Sequence, residues 1–142
     1  MAEGGTMGAW GPGYFEDDTA LDALDELVSA EEPVEYMRQA FVNVSGAEYV
    51  EFDLAQRAVV AAVVLDALLQ GPDLVRDEDE LISWLEEKKG IEVAPLRSLA
   101  VPALKKVLSD ESELKELWEE NEELFPIWKG GIELITGRLA GG

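Results

Sequence analysis

From Asp53 to Gln70 the chain reads DLAQRAVVAAVVLDALLQ, a stretch almost without charge in an otherwise strongly acidic protein. Such a segment is stable in water only if other elements cover it. At about 1.5 Å per residue it predicts a core helix of roughly 25 Å, long enough to cross a small domain. Gly71-Pro72 ends it, because glycine leaves the helical conformation freely and the proline ring cannot continue it. Four polar residues follow Leu54. At about 100° per residue, Gln56, Asp66 and Gln70 share one narrow strip, whereas Arg57 stands among Ala61, Val64 and Leu68. A guanidinium on an apolar face must snorkel to water or meet a carboxylate, since burial without a partner costs several kcal/mol. Asp53, one turn earlier, is the expected ion-pair partner of Arg57, with Asp17-Asp18 as a distant alternative.

Composition limits what can surround this helix. The 142 residues are 47% hydrophobic, which is too apolar for a disordered chain and about right for one domain. Thirty-one Asp and Glu against eleven Lys and Arg give a net charge of −20. That field repels phosphate backbones and anionic lipid headgroups, so direct nucleic-acid or membrane binding is not expected. The charge has a plain reading as solubility or salt adaptation; as a recognition signal it points to a basic protein partner. Cysteine and histidine are both absent. Disulfides, thiolate chemistry and the commonest general base and zinc ligand go with them, which weighs against most hydrolase chemistries. No cofactor is expected, and the oligomeric state stays open. The start of the chain shows neither a basic segment nor an apolar run, and Ala58–Leu65 is far short of the roughly 20 residues of a membrane span. The expectation is a cytoplasmic protein.

The remaining segments read as helices. Residues 1–6 are expected to be a flexible leader, and residues 7–142 a single all-α domain. Met7–Phe15 interleaves glycines with Trp10, Tyr14 and Phe15, which suits a loop whose rings seek a groove. Asp17 or Asp18 caps a first helix, a second starts at Pro33, and Tyr49–Phe52 is too short to predict a strand. Asp77 with Glu80 resembles a capping box, and Gly90 stops the helix that follows. Pro102 is expected to open a helix, Ser109–Glu123 to be an amphipathic one, and Trp128, Ile132, Ile135 and Leu139 to mark the last. The whole predicts a compact single-domain bundle of six or seven helices around a buried central helix.

Three pieces carry a family resemblance: MGAWGPGYFEDDTALD, the Ala- and Val-rich helix, and SELKELWEE. Together they resemble the bacterial family called domain of unknown function 4259. The matching positions are Gly8, Trp10, Gly11, Asp17 and Asp18, then Ser112, Glu113, Leu114, Glu116, Leu117 and Trp118. The chain departs from the family where similar proteins often place a carboxylate in the middle of the central helix; Val63 stands there, with Asp66 nearby. The family has no established activity, so the resemblance speaks to fold and leaves function open.

The candidate site residues are therefore Trp10, Gly11, Asp17, Asp18, Glu113, Glu116 and Trp118, as a motif or partner-binding set, with Arg57–Asp53 as a structural ion pair. None is assigned a catalytic role and no metal ligand is named; adjacent acids at a helix start are ordinarily capping residues. The leading expectation is a non-enzymatic protein–protein interaction module of inhibitor or immunity type. A hydrolase or transferase dependent on a carboxylate-bound Mg, Ca or Mn ion is the enzyme alternative, requiring Asp17 and Asp18 to meet Glu113 and Glu116. A nucleic-acid mimic is the third.

Overall fold

The computed structural model describes residues 13–141; the expected leader, Trp10 and Gly11 lie outside them. Seven α-helices occur among the described residues: α1 (Asp18–Ser29), α2 (Pro33–Ser45), α3 (Phe52–Gln70), α4 (Asp79–Glu87), α5 (Arg97–Val107), α6 (Glu113–Glu119) and α7 (Phe125–Gly141). Short 3-10 turns at Asp73–Val75 and Ala94–Leu96 precede α4 and α5. The architecture is the expected all-α bundle. Its axis is α3, packed on by α1, α2, α5, α6 and α7, while α5 also bridges α2 and α7.

Every residue of α3 from Ala58 to Ala67 is buried. Alanine and valine make this possible, because short side chains let several helices approach one cylinder at once. Around it, Leu27 of α1, Met37 and Phe41 of α2, Leu104 of α5 and Ile135 of α7 have no exposed surface. Each such side chain stabilises the fold by about 1.5–3 kcal/mol relative to exposure. Gly71, with φ of 103°, takes the chain out of α3 in a conformation that L side chains rarely adopt.

Several local readings need correction. Pro102 lies inside α5 rather than at its start. It is exposed, as is Ser98 four residues earlier, whose carbonyl loses the missing N–H; the cost is least where water can replace that bond. The amphipathic segment is shorter than Ser109–Glu123, since Ser112 caps α6 and accepts from the Lys115 N–H at 3.3 Å. The residues before it are used elsewhere. Val50 donates its N–H to Glu111 O at 2.7 Å and accepts from the Glu113 N–H at 2.9 Å, a single parallel bridge with Ser112. The capping box does not form either: α4 begins at Asp79 after Glu78, with no side-chain cap.

Candidate functional site

The motif residues gather at the amino-terminal half of α3. Asp17 is the N-cap of α1, and its Oδ1 accepts from the Ala20 N–H at 2.7 Å. Its other carboxylate oxygen accepts from the Gln56 amide of α3. Asp17 is only 6% exposed, and burial raises its pKa above the usual carboxylate range against the lowering effect of these hydrogen bonds. One turn earlier on α3, Glu113 reaches across 61 positions in sequence and accepts from the Phe52 N–H at 2.8 Å. It caps α3 from another helix, satisfying a donor that the first turn leaves free. Glu116 accepts from the Tyr49 hydroxyl at 2.8 Å, a bond that raises the phenol to about 12 with help from burial and the glutamate charge.

Trp118 closes the same region from α6. It is buried and stacks on Trp128 of α7, with ring centroids 6.5 Å apart and planes 14° off parallel. The two tryptophans, Asp17, Gln56 and Tyr14 surround a recess of about 10 Å³. That is barely the space of one water molecule, so the recess has no room for a substrate. The two sequence motifs are thus brought together, but as keystones that fasten α1 and α6 to α3.

The carboxylates are each engaged separately. Asp17 serves α1 and Gln56, Glu113 serves the start of α3, Glu116 serves Tyr49, and Asp18 is exposed in the first turn of α1. Among the described residues no group of three or more Asp or Glu side chains is placed to hold a metal ion.

Arg57 corrects the expectation made for it. Its guanidinium lies 3.6 Å from Glu26 of α1, not paired with Asp53, and both partners are nearly half exposed. The arginine snorkels to the edge of α3 and finds the acid already there. The discordant charge that does bind helices together is Asp66. It is 1% exposed, and both its oxygens accept from Arg138 Nε of α7, at 3.0 and 3.1 Å. Gln70 donates to Asp66 at 3.0 Å and to the Arg138 carbonyl at 2.9 Å. Tyr14 belongs to the same end: its hydroxyl donates to Gly131 O at 2.7 Å, and burial, then the Asp66 charge, raise it to about 12. Sequence reasoning put Gln56, Asp66 and Gln70 on one strip but did not single them out. The strip was the signal, since an apolar helix retains polar groups where specific partners meet them.

Among the described residues the surface also carries larger concavities, three of which differ in kind from this recess. A groove of about 360 Å³ runs between α1 and the start of α4, floored by Leu24 and Leu81 beside Leu21. Asp22, Asp25, Glu78, Asp79 and Glu80 line it without one cation. Glu78 also borders a second groove, of about 470 Å³, where Arg76 pairs with Asp73 at 3.3 Å. The third, about 230 Å³, is mostly apolar and lies between the end of α3 and α4, with Glu86 and Lys89 at its rim.

A family model described as domain of unknown function (DUF4259) matches residues 8–131. The chain belongs to the DUF4259 family. No curated protein and no solved structure matches it. Among the described residues no helix is long and apolar enough to cross a membrane.

Proposed function

We propose that this DUF4259 protein is a non-enzymatic interaction module of the bacterial cytoplasm, of inhibitor or immunity type, that presents an acidic surface to a basic protein. The observation that carries this reading is the α1–α4 groove. Its five carboxylates flank Leu21, which is 44% exposed, and none of them has a Lys or Arg within ion-pairing distance among the described residues. An acidic rim around apolar side chains fits Lys and Arg flanking an apolar anchor, with the charges steering encounter and the anchor supplying affinity.

The test is a comparison of two charge reversals. Asp22→Lys with Asp25→Lys alters the groove; Glu122→Lys with Glu123→Lys makes the same charge change after α6. Immobilised wild type should capture a basic protein from lysate at low salt and release it as salt rises, the groove variant should lose it, and the other should keep it. Capture of nothing specific, or equal loss in both variants, removes the proposal.

A further inference from the structure

α7 carries two apolar faces, separated on one side by a polar strip of Lys129, Glu133 and Thr136, and among the described residues only one of them is covered. Trp128, Ile132, Ile135 and Leu139 face the core. The opposite side carries Ile127, Gly130, Leu134, Gly137 and Gly141, spaced three, four, three and four apart, as on one helical seam. Ile127 and Leu134, at 57% and 49%, are the two most exposed large apolar side chains among the described residues. An apolar stripe along a helix ordinarily faces an element that covers it.

The glycines sharpen this. Gly131 has a reason inside the chain, since the Tyr14 ring packs 3.6 Å from where a Cβ would stand. Gly130, Gly137 and Gly141 have nothing within 4 Å of that position. Glycine is among the costliest residues in a helix interior, and its return is the close approach of another backbone. Among the described residues no segment supplies that approach.

We infer that a second copy of this chain covers the face, α7 packing antiparallel on α7 about a twofold axis through Leu134. The pattern is self-complementary in that arrangement: Leu134 meets its own copy, Gly130 faces Gly137, and Ile127 seats over Gly141 of the other protomer. The local charges of the face permit that occupant. The chain carries −20, but the charges of α7 are Lys129, Glu133 and Arg138. Glu133 pairs with Lys129 at 3.6 Å and Arg138 with Asp66, so this face can meet its own copy without opposing acids. One helix face is small beside the ~800 Å² per partner of a standard interface, which sets a weak, concentration-dependent dimer opposed by the net charge.

The full chain is therefore followed by sedimentation equilibrium at rising concentration, in low salt and in about 1 M salt, where screening falls to roughly 3 Å. The mass should approach two chains in high salt, and Leu134→Glu should weaken association at least tenfold while keeping the wild-type helical signal. Because the protein lacks cysteine, orientation is readable by mild oxidation. Leu134→Cys should cross-link to its copy, whereas Ile127→Cys should not, its equivalents lying about 20 Å apart when antiparallel. A monomer at every salt, a dimer indifferent to Leu134→Glu, or cross-linking by Ile127→Cys overturns the inference. So does a monomer whose melting midpoint falls on Leu134→Glu, which would mean that part of the same chain covers the face.

Discussion

α3 and α7 are the two long, nearly uniformly apolar helices of this protein, and they meet that condition differently. α3 is built of alanine and valine and is enclosed by five other helices. α7 is built of glycine and larger aliphatics and is enclosed on one side. In α3 small side chains serve close packing within the chain; in α7 Gly130, Gly137 and Gly141 lie on the side away from it. An apolar face thus marks an obligation to be covered, which α3 meets within the chain and α7, among the described residues, leaves open on one side.

The largest effect should come from breaking the link between them. Asp66→Leu strands the Arg138 guanidinium, which is 23% exposed, and should cost about 3 kcal/mol in urea unfolding. Asp66→Leu with Arg138→Met removes both charges and should recover most of that loss, since a pair replaced by apolar groups of similar volume is often nearly neutral.

Enlarging one residue on each helix should then give opposite signs. Ala62→Leu forces extra volume into a site with no exposed surface and should destabilise by about 1–3 kcal/mol. Gly137→Ala adds a methyl to open space and should stabilise the monomer by about 1 kcal/mol, read as a higher melting midpoint at low concentration. If both changes destabilise the monomer alike, the contrast between covered and open helices fails.

A smaller effect tests the loop that touches α7. Tyr14 sits near 12 in the folded protein against about 10 when unfolded, so folding retains the phenol proton. Its contribution is complete below about pH 10 and is lost as pH rises toward 12. Tyr14→Phe should remove that loss and delete one late step from the ultraviolet titration of the tyrosines. The smallest effect belongs to Arg57→Ala, about 0.5 kcal/mol or less, because its pair with Glu26 is nearly half exposed.

How far the sequence was legible follows from how local each cause is. The central helix, the cap at Asp17 and the stops at Gly71 and Gly90 depend on residues a few positions apart, and each was readable. Glu113 was marked by its motif, but its capping of Phe52 was not readable, because the two are far apart in sequence. Pro102 misled because a proline costs little where its orphaned carbonyl meets water, and exposure is a tertiary property. Arg57 drew attention from Asp66 because a charge among apolar neighbours looks buried in projection, and only the position of α1 decides that it is not.

The bridge between Val50 and Ser112, with the Glu113 cap beside it, has a consequence in time. The first turn of α3 is completed by residues about 60 positions later, so closing it requires ordering α4, α5 and the turns between them. That contact belongs late in folding, on the native side of the barrier. Glu113→Ala should accordingly speed unfolding more than it slows refolding, as chevron arms resolve. The contact between Glu113 and the start of α3 would then act as a latch on how long the native state lasts.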